Sequence, residues 1–226
     1  MINPRKTQEP QYKEIFDVAE KHGVSTLGLM SNVPWNQDPK HLLFTMSRYK
    51  FVSKLLAGRK NVLEVGCADA FSTRIVQQTV KHITAVDFDP VFIEDVQSRL
   101  NPHWNMDCFV HDLLEKPVPG QFDSIYSLDV LEHISPDLEN KFINNMLASL
   151  DENGVMVIGT PSLESQQWAS SQSKEGHVNC KSGDNLKSTM QKYFHNVFIF
   201  SMNDEVIHTG FYPMAHYLIA LCCGKK

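Results

Sequence analysis

The sequence predicts an α/β protein built on a doubly wound, seven-stranded and mostly parallel sheet with an antiparallel last strand. From residue 61 onward, short apolar runs alternate with segments of helical periodicity, which is typical of strands joined by helices on both faces of a sheet. No helical pattern separates the last two apolar runs, so the final strand is expected to run antiparallel to its neighbour. Before residue 61 the periodicity is helical only. We therefore expect an N-terminal helical cap over 1–60 and a sheet domain over 61–226.

The individual elements follow from periodicity and from glycine and proline punctuation. Helices are predicted over 10–22 and 40–57 in the cap, and over 70–80, 90–99, 138–150 and 183–193 in the sheet domain. Strands are predicted over 61–66, 82–86, 107–110, 122–128, 154–159, 195–201 and 215–223. The stretch 23–41 carries two glycines and two prolines and is interpreted as a loop. Its segment 29–39 is expected to form a lid that carries Trp35.

Composition excludes several classes of protein. The chain has 226 residues and a formal net charge of −5, which disfavours a general nucleic-acid binder because phosphate contacts need an excess of lysine and arginine. No run of 18 apolar residues and no apolar N-terminal leader is present, so we expect neither membrane insertion nor secretion. The five cysteines lack zinc spacing and are expected to be reduced thiols in a cytoplasmic protein.

The turn after the first predicted strand indicates the class of ligand. A dinucleotide site needs the pattern G-x-G-x-x-G so that the backbone can approach a pyrophosphate, but here Ala68 and Phe71 replace two of the glycines. Asp69 would also lie near the phosphates, where a negative charge is unfavourable. S-adenosylmethionine has no phosphate and carries an ammonium and a sulfonium, so acidic groups such as Glu64 near Gly66 favour it.

The ends of the next two strands carry side chains suited to a nucleoside. Asp87 lies 21 residues after Gly66, the interval expected for a carboxylate that accepts from both ribose hydroxyls. Phe88 is then placed to cover one face of the adenine, while Asp112 is placed to accept from its amino group and Leu113 to pack on the ring. Either aspartate alone is equally explained as a helix cap.

The motifs in their order resemble those of class I S-adenosylmethionine-dependent methyltransferases. The resemblance rests on "VLEVGCADA", "AVDFDP", "HDLLE", "FDSIYSLDVLEHI" and "LDENGVMVIGTPS", and it covers about residues 60–165. The short form "DVLEH" is similar to the ubiquinone-pathway O-methyltransferases. The usual first motif has glycine where this chain has Ala68 and Ala70. The resemblance implies that S-adenosylmethionine, leaving as S-adenosylhomocysteine, is bound by Glu64, Gly66, Cys67, Ala68, Asp87, Phe88, Asp112, Leu113 and Leu128.

Two alternatives are open for the segment after the fourth strand. In some relatives, including small-RNA 2′-O-methyltransferases, E-x-x-E-H and a distant histidine hold a divalent metal, which implies a Mg²⁺ or Mn²⁺ site at Asp129, Glu132, His133 and His177. Without a metal, an alcohol acceptor needs a base to take its proton, and His133 is the preferred candidate. His177 is the second candidate, and Asp129 is a candidate catalytic carboxylate.

The acceptor is predicted only by class. The segments 29–39, 160–180 and 203–216 mix polar and aromatic residues, which favours a small or medium polar acceptor over a lipid. The leading hypothesis is an O-methyltransferase acting on a small molecule, with methylation of nitrogen, RNA or protein as the alternative. A non-catalytic, methyltransferase-like binding protein is the alternative from another class. The same segments, with Trp35 and Trp168, are also explained as packing arms or as contacts in a homodimer.

Overall fold

One mixed sheet organises the chain, and the computed structural model describes it over residues 7–226. The strands are β1 (Asn61–Val65), β2 (His82–Asp87), β3 (Met106–Val110), β4 (Phe122–Leu128), β5 (Leu150–Pro161), β6 (Phe194–Asn203), β7 (Val206–His208) and β8 (Tyr217–Lys225). Their spatial order is β3-β2-β1-β4-β5-β8-β6-β7. The first five strands pair in parallel, whereas β8 runs antiparallel to both β5 and β6. The predicted α/β fold with an antiparallel last strand is confirmed.

The helices of the described residues are α1 (Lys13–His22), α2 (Leu29–Gln37), α3 (Pro39–Leu55), α4 (Thr73–Gln77), α5 (Pro90–Arg99), α6 (Pro136–Ser149), α7 (Ser171–Gly176) and α8 (Gly183–Gln191). Buried side chains of α3 pack in one of the two hydrophobic clusters of the sheet and those of α6 and α8 in the other. Among the described residues, no helix is long and apolar enough to cross a membrane.

The sheet has eight strands rather than the predicted seven. The additional strand β7 pairs antiparallel with the end of β6 through Ser201, Met202 and Asn203. It is only three residues long and lies in a polar segment, so it offers too few residues for an alternating pattern to be recognised. Asp204 makes the tight turn before it with φ of +50°.

The segment 29–39 is mostly helical, which corrects its interpretation as a loop. Helix α2 contains Pro34 at its sixth residue, and its N-cap residue Gly28 has no side chain to mark a helix start. Both features argue against a helix in the sequence. The predicted helix 70–80 is also shorter than expected, since α4 covers only Thr73–Gln77.

Helix α3 joins the expected cap to the core of the sheet domain. Its residue Val52 and the following Leu56 have no exposed surface, and Tyr49 is also buried. They pack with Val62 and Val76 on the face of the sheet that α3 covers. Helix α1, in contrast, has no buried residue. The N-terminal 60 residues therefore contain both a peripheral helix and part of the core.

Candidate functional site

Two adjoining cavities lie at the carboxyl ends of the central strands, where an open α/β sheet binds its ligands. We call the larger one, of about 530 Å³, the Asp87 cavity, and the smaller one, of about 350 Å³, the Arg48 cavity. The two cavities share five lining residues, which are Met30, Gly66, Ala68, Asp129 and His133. They therefore form one continuous crevice across the ends of β1 and β4.

The turn after β1 keeps a left-handed backbone even where alanine replaces glycine. Gly66 has φ of +77°, Ala68 of +45° and Ala70 of +49°. A Cβ atom on Gly66 would lie 2.2 Å from Cγ2 of Val130, so this position admits only glycine. Alanine at the other two positions is compatible with the same conformation at a cost in backbone energy.

Asp87 anchors this turn and also lines the Asp87 cavity. Its Oδ2 accepts a hydrogen bond from the backbone N–H of Ala68 at 2.8 Å, and its Oδ1 accepts from that of Asp89 at 3.0 Å. The N–H groups of Gly66 and Cys67 donate to the carbonyl of Val86. The end of β2 thus holds the turn of β1 in place through both backbone and side chain.

Most of the side chains predicted to bind a nucleoside lie together in this crevice. Phe88, Asp112 and Leu113 line the Asp87 cavity, and the Phe88 ring is 71% exposed. Cys67 and Leu128 line the Arg48 cavity.

Glu64, which the resemblance implies as a cofactor contact, lies beneath the turn and lines neither cavity. Its carboxyl oxygens accept hydrogen bonds from the hydroxyls of Tyr49 at 2.8 Å and Tyr126 at 2.7 Å. Burial raises the pKa of Glu64 to about 7. Glu64 is 1% exposed, so both of its carboxyl oxygens are enclosed together with these hydroxyls.

Asp129 forms an ion pair with Arg48, a residue that the sequence analysis did not select. The Nη1 of Arg48 lies 2.8 Å and 2.7 Å from the two carboxylate oxygens, and its guanidinium stacks 3.8 Å from the ring centroid of Tyr217. The Nε of Arg48 is buried without a partner among the described residues. Arg48 is the only lysine or arginine among the residues lining the two cavities. In the sequence, the only feature that marked Arg48 was its position next to the buried residues of α3.

Three of the four predicted metal ligands lie together, and Asp129 is the exception. Glu132, His133 and His177 each offer one ligand atom, and these atoms lie within 4.8 Å of one another. Asp129 does not join this group, because its carboxylate is taken by Arg48. The structure thus groups three of the four predicted ligands, and the metal site stays a prediction.

The two histidines of this group are held by acceptor oxygens. The Nδ1 of His133 lies 2.9 Å from the carbonyl of Gly176, and the Nδ1 of His177 lies 2.8 Å from Oε1 of Gln166. Because a carbonyl oxygen only accepts, each Nδ1 donates its proton and each Nε2 keeps its lone pair. Burial, and then the neighbouring His133, lower the pKa of His177.

Glu132 completes the group from a buried position. It is 1% exposed, and one carboxyl oxygen accepts from the hydroxyl of Thr160 at 3.2 Å. Burial, reinforced by the nearby charge of Asp129, raises the pKa of Glu132 to about 8.

The fold and the position of this crevice define an α/β protein of the doubly wound type, with its candidate ligand site at the carboxyl ends of the strands. A family model described as a methyltransferase domain matches residues 39–193. The chain belongs to this family, and the resemblance to class I S-adenosylmethionine-dependent methyltransferases is confirmed.

Curated relatives cover part of the chain. Two probable S-adenosylmethionine-dependent methyltransferases from Mycobacterium tuberculosis strains CDC 1551 / Oshkosh and H37Rv are each 25% identical over 118 residues. That match covers 50% of this chain and 41% of each relative, so the chain matches less than half the length of these proteins.

Solved structures share the fold. The N-methyltransferase NodS from Bradyrhizobium japonicum, in complex with S-adenosylhomocysteine, has a TM-score of 0.60 and 20% identity, covering 84% of this chain and 91% of that one. The methyltransferase domain of bacterial CtHen1-C has a TM-score of 0.66 and 14% identity, covering 80% and 98%. At such identities the likeness establishes the fold.

Proposed function

We propose that the protein transfers a methyl group from S-adenosylmethionine to a hydroxyl of a small polar acceptor, with His133 as the general base. The observation that carries the proposal is the position of His133, which lines both cavities at their junction. Its Nδ1–H is fixed on the carbonyl of Gly176, so its Nε2 is free to take a proton.

The two cavities divide the binding of the cofactor between them. Asp87 is placed to accept from the ribose hydroxyls, and Phe88 and Leu113 enclose the base. In the Arg48 cavity, Arg48 supplies the positive charge for the cofactor carboxylate and Asp69 the negative charge for its ammonium. This division follows from charge, because Arg48 is the only lysine or arginine among the lining residues.

The residues of the chain mainly align the reactants and accept one proton. S-adenosylmethionine supplies a methyl group that is already activated on a sulfonium. Alignment can contribute on the order of 7–11 kcal/mol to such a transfer. His133 accepts the hydroxyl proton as the oxygen attacks, and Gly176 holds the imidazole in the required tautomer.

A metal-assisted version of the same reaction is the second candidate, and the group of Glu132, His133 and His177 favours it. One carboxylate and two imidazoles with free Nε2 atoms fit Mn²⁺ better than Mg²⁺, which prefers oxygen ligands. A bound ion would supply Lewis-acid polarisation of the acceptor oxygen. His133 Nε2 cannot bind a metal and act as base at once, so the two candidates exclude each other.

Titration calorimetry with MnCl₂ on protein freed of metal by EDTA separates the two candidates without knowledge of the acceptor. If His133 is the base, we expect no specific heat of Mn²⁺ binding, while S-adenosylhomocysteine binds normally. If the metal version holds, Mn²⁺ binds at one site, and His177→Ala abolishes it. Tight binding that depends on His177 would contradict His133 as the base.

Activity completes the test on a panel of small alcohols, phenols and amines. His133→Ala should lower the rate about 10²–10⁴-fold, the usual contribution of a general base, with the affinity for S-adenosylhomocysteine unchanged. Methylation of amines alone would refute the hydroxyl assignment. No uptake of S-adenosylhomocysteine would refute the cofactor assignment.

A further inference from the structure

The N-terminus of α2 is capped by residues from elsewhere in the chain. Its N-cap residue Gly28 makes no side-chain cap. Instead, Oδ2 of Asp95 accepts from the N–H of Leu29 at 3.2 Å, and Oδ2 of Asp69 accepts from the N–H of Ser31 at 2.6 Å. Two carboxylates therefore satisfy N–H groups that the first turn of a helix leaves free, where negative charge is also favourable.

The same two carboxylates are tied to the sheet domain. Oδ1 of Asp69 also accepts from the Ser31 hydroxyl at 3.2 Å and from the N–H of Phe71 at 3.1 Å. Arg99 donates from Nη2 to the carbonyl of Asp69 at 2.7 Å and to Asp95 at 2.6 Å. Hydrogen bonds from Arg99 lower the pKa of Asp95, so it is fully ionised at neutral pH.

Little else fastens α2 at this end. Ser31 is its only buried residue, and Leu29, Val33 and Trp35 are each about half exposed. One side of α2 nevertheless lines the crevice, because Met30 lines both cavities and Pro34 lines the Arg48 cavity. The helix is thus a cover over the crevice that packs on α3 and whose N-terminal end is held by these caps.

We propose that Asp69 and Asp95 are positioning residues that hold α2 closed over the crevice and thereby set how long the cofactor stays bound. The proposal rests on the cofactor placement given above. Asp69 belongs to the turn that lines the Arg48 cavity, so the contact that holds the cover and the wall of the cofactor site are the same residue. Asp69 therefore couples the conformation of the turn after β1 to the position of α2.

Two substitutions weaken the caps without changing any residue that lines the crevice. Asp95→Ala removes the carboxylate that accepts from the N–H of Leu29. Gly28→Ala places a Cβ 2.4 Å from the carboxyl group of Asp69, which forces the two apart. Ser182→Ala is the matched control, because Ser182 caps α8 through the N–H of Asn185, in a helix that lines neither cavity.

The first measurement is hydrogen–deuterium exchange of the amides of residues 29–37 in cofactor-free protein. Loss of a helix cap typically changes a local equilibrium by about fivefold. We therefore expect exchange to rise about fivefold in Asp95→Ala, at least as much in Gly28→Ala, and not at all in Ser182→Ala. If amide exchange is unchanged in both the Asp95 and the Gly28 variant, and circular dichroism confirms that both are folded, the proposal is overturned.

The second measurement is the dissociation rate of S-adenosylhomocysteine, followed by stopped-flow displacement. The rate should rise in the same order as the amide exchange. Faster amide exchange with an unchanged dissociation rate would overturn the link to residence time. If the unmodified protein takes up no S-adenosylhomocysteine, the cofactor placement itself is wrong, and this is seen before any variant is compared.

Discussion

Glu64 carries a carboxyl group that is withdrawn from solvent and faces two tyrosine hydroxyls rather than a cation. Burial raises its pKa to about 7, so the folded protein holds this proton over a range in which the unfolded chain has released it. The stability that Glu64 contributes is complete below its unfolded pKa near 4.5 and is lost as the pH rises towards 7.

We predict that Glu64→Gln removes part of the pH dependence of folding stability. Between pH 5 and pH 8, the free energy of unfolding of the unmodified protein should fall by on the order of 3 kcal/mol more than that of the variant. Urea denaturation at several pH values measures both slopes. Glu152→Gln, at an exposed position of β5, should keep the slope of the unmodified protein. Parallel curves for Glu64→Gln and the unmodified protein would contradict the pKa shift.

Single residues at strand ends were predictable from sequence, whereas contacts between distant elements were not. Asp87 ends β2, and Asp112 follows shortly after β3, so the pattern of strands alone places them at one edge of the sheet. Arg48 and Asp129 are 81 residues apart, and nothing local marks them as partners. Glu64 was assigned to the site because of its motif, although the direction of its side chain depends on which helix covers that face.

At the scale of elements, the turn after β1 keeps the left-handed backbone that glycine favours, although alanine occupies two of its positions. Ala68 has φ of +45°, a region that costs an L-residue about 1–2 kcal/mol. Glycine would remove this cost, while adding about 0.4–1 kcal/mol of chain entropy to the unfolded state.

We therefore predict that Ala68→Gly stabilises the protein by about 0.5–1 kcal/mol, the difference between these two effects. Chemical denaturation measures the change. Ala148→Gly, at an exposed position of α6, should destabilise it by about 1 kcal/mol, because there alanine has ordinary helical geometry. Destabilisation of the same size at both positions would show that the turn carries no strain.

Elements with regular periodicity were predicted well, and elements held by tertiary contacts were not. The alternating strands and helices of residues 61–161 follow from burial on two faces, which leaves a clear pattern. Helix α2 exists with Pro34 inside and Gly28 at its start because Asp69 and Asp95 cap it from afar. Strand β7 forms because its three residues pair with the end of β6.

For the whole molecule, we predict that the boundary near residue 60 separates two sequence patterns but not two units that fold independently. Val52 and Leu56 have no exposed surface and belong to the core on one face of the sheet. Burying such side chains contributes about 1.5–3 kcal/mol each. Helix α1 buries none of its residues.

Two truncations test this division of the chain. Removing residues 1–22 should change the free energy of unfolding by less than about 1 kcal/mol, because no buried residue of α1 is lost. Removing residues 1–60 should abolish cooperative unfolding, because the face of the sheet under α3 loses its cover. Thermal denaturation followed by circular dichroism distinguishes the two. A cooperative transition in the 61–226 fragment would show that the sheet domain is autonomous.

The pairing of Arg48 has a consequence for the order in which the protein matures during synthesis. Its helix α3 leaves the ribosome before β1 to β8, whereas its carboxylate partner Asp129 follows β4 and its stacking partner Tyr217 begins β8. A nascent chain halted before β8 therefore lacks the surface on which the guanidinium rests. Because Arg48 is proposed to bind the cofactor, we predict that ligand affinity is acquired only after β8 has been synthesised, and ligand-dependent resistance to a protease would report this step.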